Sequence, residues 1–341
     1  MDNSTHLSYQ IEDRSYVSFI KREIHNLLVK AGFNESRTGE TDIVVSELTS
    51  NLIKHAQSGE LLYKISEEAD GNKAFEVISL DNGPGTDDIQ RMMRDGASTT
   101  NTLGNGLGAI QRLSDFFQIY SLAGSGTVAV SKTFLKPLPE VRRALQPKVL
   151  IKALQVCYPG ETLCGDGYHV IETGNETRIF VGDGLGHGPN AHNAVQEAIT
   201  AFTECTAASA SEVLRYIHQK VKKTRGLVAT VAILNHKTKR WNICGVGNIT
   251  TRLHQGIQYK NYMSHNGIVG LNIPGTMNDY SIEAEQFQTI VMCSDGIRTR
   301  WELARYSGLL KYDPSVIASM IFKEHARRND DMTVLVGKVN L

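Results

Sequence analysis

The segment KPLPEVRRALQPK, Lys136 to Lys148, constrains the fold more than any other stretch of the chain. It sets three of the eight prolines among charged residues, a composition expected where one packed unit stops and another begins. The length of 341 residues points the same way, since a single core is satisfied by roughly 150. The expected organisation is therefore a domain at 1–135, a linker at 136–148 and a second domain at 149–341.

Charge and cysteine usage narrow the function classes. Lys plus Arg and Asp plus Glu are both 36, so no net field draws the chain to nucleic acid or to an anionic membrane, and neither is expected as a partner. The five cysteines are scattered and form no CxxC pair, which argues against a disulfide framework and against zinc. A reducing, cytoplasmic setting fits them best. The N-terminus MDNSTHLSYQIEDRS is polar and acidic rather than basic then apolar, and no run approaches the ~18 apolar residues of a membrane span.

In the first half, apolar spacing predicts helices at Tyr16 to Ala31 and Asp42 to Ala56, and strands at Leu61 to Ser66, Phe75 to Leu80, Phe117 to Leu122 and Thr127 to Phe134. This is the pattern of an α/β sandwich. On the second helix Glu47 and Asn51 stand i,i+4, with Lys54 and His55 near the same stripe, while Val45, Leu48, Leu52 and Ala56 form the adjacent apolar face. A solvated face would by itself explain such a pair. Two further features add to it. DNGPG, Asp81 to Gly85, follows the strand FEVISL, so a carboxylate ends a strand beside glycines that let another group approach the backbone. GNGLG, Gly104 to Gly108, opens the apolar-periodic LGAIQRL, and glycines at a helix start expose N–H groups and the positive dipole end to an anion.

In this order and spacing, ELTSNLIKHA, DNGPG, MRDGASTTNTLGNGLGAIQRL and GSGTVAV resemble the boxes of the GHKL ATPase superfamily over roughly residues 10 to 135, and most of all its RsbT-type switch protein kinases. The resemblance implies a GHKL (Bergerat) α/β sandwich that binds ATP with Mg²⁺. It implies Asn51 as ligand of the Mg²⁺, Glu47 as the group that takes or orients the proton of the attacking hydroxyl, and Asp81 as the group recognising the adenine amino group. Gly83 and Gly85 would admit the base, Gly104, Gly106 and Gly108 would wrap the phosphates, and Thr127 would lie near the adenine. The segment Arg94 to Leu103 would be a lid over ATP.

In the second half, strands are expected at Tyr168 to Glu172, Arg178 to Val181, Ala229 to Asn235, Arg240 to Val246, Thr250 to His254 and Thr289 to Cys293, with helices at Asn190 to Thr203 and Ser211 to Lys222. VGDGLGHG, Val181 to Gly188, lacks the lysine or serine of a phosphate-binding loop and supplies a carboxylate instead, which suits a hard divalent metal. Asp183 would need partners, and Asp166 in LCGDGY, Asp295 in CSDG and the pair Asp330 and Asp331 in RRNDDMTVLVG offer them. Together these acids form an oxygen-rich set suited to Mg²⁺ or Mn²⁺ and poorly suited to zinc, although each alone is also an ordinary turn former.

From about Leu150 to Leu341 the chain resembles the metal-dependent PPM protein phosphatases of the SpoIIE type, most closely the small RsbX-type enzymes. The matching pieces are CGD, VGDGLGHG, RGLVATVAIL, WNICGVGNITTRLHQG, CSDG and RRNDDMTVLVGKV, in the family's order. The resemblance implies an α/β/β/α sandwich, hence a two-domain α+β protein. It implies two Mn²⁺ or Mg²⁺ ions bridged by Asp183, with the carbonyl of Gly184 helping one, Asp295 and Asp330 completing the second, and Asp166 binding directly or through water. Asp330 rather than Asp331 is chosen because it precedes xMT, as the family's ligand does. His187 is either a proton donor to the leaving group or a hydrogen-bond partner of the backbone, and no residue is identified that would grip the substrate phosphate. The cysteines are expected to be structural, Cys244 and Cys293 lying in apolar strands.

The paired resemblances imply a bifunctional regulator of a bacterial partner-switching pathway. Its first domain would phosphorylate a serine or threonine of a STAS-domain or stressosome-type protein, and its second would remove such a phosphate. In the alternative, the first domain is an ATP-gated module that captures a STAS protein or a sigma factor without kinase activity. Because GHKL kinases of this group often dimerise, a homodimer is among the assemblies expected.

Overall fold

The computed structural model describes residues 5–11, 14–56, 58–67, 71–89, 106–137 and 147–341. Gly104, the expected lid Arg94 to Leu103 and most of the expected linker lie outside them.

The first half builds β1 (Leu7–Ile11), α1 (Arg14–Ala31), α2 (Glu35–His55), β2 (Gly59–Glu67), β3 (Lys73–Asp81), α3 (Gly106–Leu113), β4 (Phe116–Leu122) and β5 (Gly126–Phe134). The strands form an antiparallel sheet in the order β1-β2-β3-β5-β4. In α1, Val17, Ile20, Ile24 and Leu28 recur at helical spacing and are buried, so one stripe of the helix is driven onto the sheet. The start of α2 is fixed by Asn34, whose side chain accepts a bond from Arg37 N at 2.9 Å. Val44, Val45, Leu48 and Leu52 of α2 pack with Leu61, Tyr63, Phe75 and Val77, the residues of β2 and β3 that face the helices.

The alternate residues of these strands, Leu62, Ile78 and Leu80, are equally buried, which a sheet with one wet face does not require. What covers them comes from the second half.

That half consists of β6 (Val149–Val156), β7 (Asp166–Glu172), β8 (Glu176–Gly184), α4 (Pro189–Glu204), α5 (Ala210–Lys220), β9 (Leu227–Asn235), β10 (Arg240–Val246), β11 (Thr250–Gln255), β12 (Gln258–Tyr262), β13 (Tyr280–Glu283), β14 (Thr289–Cys293), α6 (Pro314–His325) and β15 (Met332–Val339). Two antiparallel sheets, β13-β10-β9-β8-β7 and β12-β11-β14-β15-β6, face each other across a core that includes Ile151, Val181, Trp241, Ile290 and Leu335. α4 and α5 cover the first sheet through Val195, Phe202, Leu214 and Ile217.

α6 covers the second sheet and, with its other side, the sheet of the first half. Val316, Ile317, Met320, Ile321 and Phe322 share one cluster with Val291, Val334 and Val336 on one flank and with Leu62, Ile78, Leu80, Val128 and Val130 on the other. A helix buried on all sides needs apolar residues all round, and PSVIASMIF supplies them; Asp313 caps it by accepting a bond from Ser315 N at 2.8 Å. The layers therefore run helix, sheet, α6, sheet, sheet, helix.

A polar seam flanks this shared core. His6 N donates to Gln155 O at 2.7 Å, at the free edge of β6, and the imidazole Nε2 meets Glu76 Oε1 at 2.9 Å. Glu76 also pairs with Lys132 at 2.6 Å and lies near Lys64, and these cations hold its carboxyl well below the usual range against the cost of burial. Arg328, just after α6, pairs with Glu60 of β2.

Burial, with the charge of Lys64 adding, lowers the His6 imidazole to about 4, so the folded protein holds it neutral. The unfolded chain protonates near pH 6.5 and the folded one only near pH 4. Stability contributed here is therefore complete above pH 6.5 and declines as pH falls toward 4, by on the order of 3 kcal/mol at most. The urea midpoint of the His6→Asn variant should lose this part of the wild-type pH dependence; an unchanged difference across the window would separate His6 from the effect.

Candidate nucleotide and metal sites

In the first half the expected residues that the structure describes lie on α2, at the end of β3, at the start of β5 and in α3. Glu47 lies on α2, half-buried, and a Cβ on Gly106 would stand 2.6 Å from its Oε2, so the carboxylate faces the first turn of α3. Asn51 is one helical turn further along α2. Asp81 ends β3 directly opposite Thr127 of β5 and accepts a bond from Gly83 N. Its burial raises the carboxyl, against the lowering effect of that bond. Thr127 Oγ1 is bonded to Ser121 Oγ at 2.9 Å. Gly85 has φ +64°, and a Cβ there would lie 2.0 Å from Leu122 O, so no other residue fits this turn. Gly108 is buried within α3. Glu47 and Gly106 thus adjoin, Asp81 lies opposite Thr127, and a Cβ on Gly83 would stand 2.4 Å from His55 O at the end of α2; a helix N-terminus such as that of α3 suits an anion.

In the second half, Asp166 and Asp183 face each other as direct partners where β7 begins and β8 ends. Asp295 follows β14, and Asp330 and Asp331 precede β15. The acids influence one another strongly. Burial drives the Asp183 carboxyl far upward, and the charges of Asp166, Asp295, Asp330 and Asp331 add to it. Burial lifts Asp166 to about 8 despite a 2.6 Å hydrogen bond from Ser294 Oγ, and lifts Asp330 with a contribution from Asp295. Asp331 Oδ1 accepts a bond from Tyr158 N at 2.8 Å, and Asn248 Nδ2 donates to Asp295 Oδ2 at 3.0 Å.

Asp166 Oδ1 and Asp331 Oδ2 are buried without a hydrogen-bond partner among the described residues. Orphaned carboxylate oxygens within a mutually repelling, all-oxygen set fit hard divalent cations. Gly184 closes β8 beside Asp183 and donates its N–H to Gly165 O at 2.9 Å.

The histidine of VGDGLGHG lies against two side chains of its own domain. His187 stacks on Tyr158 with ring centroids 4.1 Å apart, and its Nδ1 lies 3.0 Å from Glu161 Oε1. Gly186 in the same loop has φ +75°, and a Cβ there would stand 3.0 Å from Arg225 Nη1. Arg225 is exposed and precedes Gly226, whose carbonyl accepts a bond from Leu185 N. Sequence reasoning did not single out Arg225, Ser294 or Asn248, although each adjoins or lies within a quoted motif.

Comparison with known proteins agrees with both halves. Residues 12–132 match the family described as histidine kinase-like ATPase domain, and residues 173–340 match the family described as stage II sporulation protein E (SpoIIE). The chain is 38% identical over 103 residues, covering 30% of this chain and 76% of the relative, to the serine/threonine-protein kinase RsbT of Bacillus subtilis (strain 168). Over 185 residues, 53% of this chain and 90% of the relative, it is 25% identical to the phosphoserine phosphatase RsbX of the same organism. Among solved structures, one described under the bacterial stressosome as a modular system adapted to control secondary messenger signalling superposes with a TM-score of 0.52 at 25% identity, covering 56% of this chain and 99% of that one. RsbX in complex with magnesium superposes at 0.51 and 20% identity, covering 57% and 98%, which shows the same fold. No helix among the described residues is long and apolar enough to cross a membrane. The chain belongs to the RsbT family of histidine kinase-like ATPase domains and carries, in one polypeptide, a SpoIIE-type PPM phosphatase domain related to RsbX, the domain pair of a partner-switching regulator.

Proposed function

We propose that the second domain hydrolyses phosphoserine or phosphothreonine on a STAS-domain protein, and that the first phosphorylates such a protein from ATP and Mg²⁺. The observation that carries the phosphatase reading is the meeting of Asp166, Asp183, Asp295, Asp330 and Asp331 from separate strand ends, with carboxylate oxygens left over. Asp183 would bridge two Mn²⁺ or Mg²⁺ ions, with Asp166, Asp295, Asp330 and the Gly184 carbonyl as further ligands. When bound, the cations supply a water of lowered pKa as nucleophile. Ser294 and Asn248 hold the Asp166 and Asp295 carboxylates in place.

Arg225 would grip the substrate phosphate. Its guanidinium overlies Gly186 and has no hydrogen bond to protein among the described residues, leaving its fork free for an anion. Arg225→Ala should lower kcat/KM on a phosphoprotein about 10- to 100-fold, chiefly through KM, as expected for a lost charge-assisted bond. Steady-state phosphate release measures this, and unchanged KM would assign the phosphate to another group.

For the first domain, Glu47 facing the first turn of α3 supports phosphotransfer, since a carboxylate beside the phosphate-binding end can accept the hydroxyl proton. Asn51 would hold the Mg²⁺, Asp81 the adenine amino group, Thr127 would lie near the base, and Gly83, Gly85, Gly104, Gly106 and Gly108 would make room for base and phosphates. A second function, ATP gating of the phosphatase, draws support from α6, which packs on the nucleotide-domain sheet and leads directly to Asp330. The test is incubation of the full chain with labelled ATP, Mg²⁺ and candidate STAS proteins, followed by phosphatase assays with and without a non-hydrolysable ATP analogue. Label on a STAS serine or threonine supports the kinase. A phosphatase rate that responds to the analogue, without label, supports gating.

A further inference from the structure

Cys157 follows β6, and Cys164 stands two residues before Asp166. The sequence places them apart, yet their Sγ atoms and a carboxylate oxygen of Asp331 all lie within 4.8 Å of one another. Cys157 is half-buried, and Cys164, though buried, lines a cleft of about 320 Å³ with Thr5, Gln155, Leu163 and Asp166. The cleft gives a small oxidant a way to Cys164, and Cys157 is the less buried of the pair. Cys205, Cys244 and Cys293 are buried, the last two inside strands.

The segments carrying the two thiols also carry the acidic centre. Tyr158 N holds Asp331 Oδ1, Gln155 Nε2 donates to Asp166 O at 2.7 Å, and a Cβ on Gly165 would stand 2.7 Å from Asp331 Oδ2. A change in the separation of Cys157 and Cys164 would therefore act on segments that hold Asp166 and Asp331.

We propose that Cys157 and Cys164 form a reversible disulfide on exposure to peroxide, and that closing it weakens the divalent-cation affinity of the acidic centre. The Cys157 thiolate attacks hydrogen peroxide, forming an S–O bond as the O–O bond breaks and hydroxide leaves. The Cys164 thiol then attacks that sulfur, its proton passing to the departing oxygen, which leaves as water. Overall, two thiols and one peroxide yield one disulfide and two waters. The sulfurs must close to about 2.05 Å, which the 158–163 loop and the β7 start absorb. The consequence for cation binding rests on the phosphatase reading; the thiol chemistry does not.

The test treats the metal-free full chain with hydrogen peroxide and maps peptides without reduction. A Cys157–Cys164 cross-linked peptide, lighter than the thiol pair by two hydrogens and cleaved by dithiothreitol, is expected. Calorimetry with Mn²⁺ should show affinity lowered about 10- to 100-fold in the oxidised protein and restored on reduction. Cys164→Ala should trap Cys157 as a sulfenic acid labelled by dimedone, and Cys157→Ser should be unresponsive. Two thiols that stay alkylatable in the wild-type protein would overturn the disulfide. A cross-link that leaves Mn²⁺ affinity unchanged, or an equal affinity loss in Cys157→Ser, would overturn its coupling to the centre. Absence of Mn²⁺ binding in both the reduced and oxidised protein, with the cross-link present, would instead count against the phosphatase reading.

Discussion

Asp183→Asn should abolish metal-dependent phosphate release, lowering kcat by about 10³-fold or more, equivalent to roughly 4 kcal/mol or more of lost transition-state stabilisation. The reason is positional: Asp183 stands opposite Asp166 and feels the charges of all four other acids, which is what the proposed role between two cations requires. The same change should raise the thermal midpoint of the metal-free protein. Folding drives the Asp183 carboxyl far above its ordinary value, so ionisation of this group destabilises the fold, and metal-free stability from this source falls as pH rises above the ordinary carboxylate range. An uncharged amide removes that penalty. Mn²⁺ should therefore stabilise the wild type and leave the variant nearly unchanged, while ATP binding in the first domain persists. Scanning calorimetry with and without Mn²⁺ separates these outcomes, and a variant that keeps both phosphate release and Mn²⁺ stabilisation would remove Asp183 from the centre.

The aspartates of this set were legible because each borders a strand: Asp183 lies at the end of β8 and Asp295 follows β14, while Asp166 opens β7 and Asp330 and Asp331 precede β15. β10 and β14 have the expected ends, Arg240 to Val246 and Thr289 to Cys293. α2 starts at Glu35 rather than Asp42, since its first turns, ESRTGET, contribute no apolar stripe and rely on the Asn34 cap. What escaped sequence reasoning lies mostly at the junction of the two halves. β1 is a short edge strand with only Ile11 buried, β6 carries the half-buried Lys152 and the buried Gln155, and α6 is apolar on every side because both neighbours are sheets, so it shows no helical period. Periodicity reports the burial an element receives from one side, and here the second side is supplied by residues about 250 positions away in sequence, as Leu62 and Ile78 against Val316 and Phe322 illustrate. Arg225 over Gly186 and the Cys157–Cys164 contact were hidden for the same reason: each is a tertiary juxtaposition with no spacing signal.

Glu47→Gln, made in the Asp183→Asn background so that hydrolysis cannot erase the product, should bind ATP as tightly as its parent and transfer phosphate about 10²- to 10⁴-fold more slowly. The amide keeps the size and the hydrogen-bonding reach of Glu47 at the first turn of α3 but cannot accept the proton of an attacking serine or threonine hydroxyl. Phosphoryl transfer otherwise depends on positioning and charge neutralisation, which Asn51 and the α3 N-terminus would still provide, so binding and chemistry should part company in this variant. Titration calorimetry with ATP and Mg²⁺ gives the first quantity and label on a STAS protein the second. Label unchanged from the parent would remove Glu47 as the base. Label absent from both proteins while ATP still binds, together with a wild-type phosphatase rate that moves with nucleotide, would make the first domain a gate acting through α6, which packs on the first-half sheet and is followed by the loop carrying Asp330.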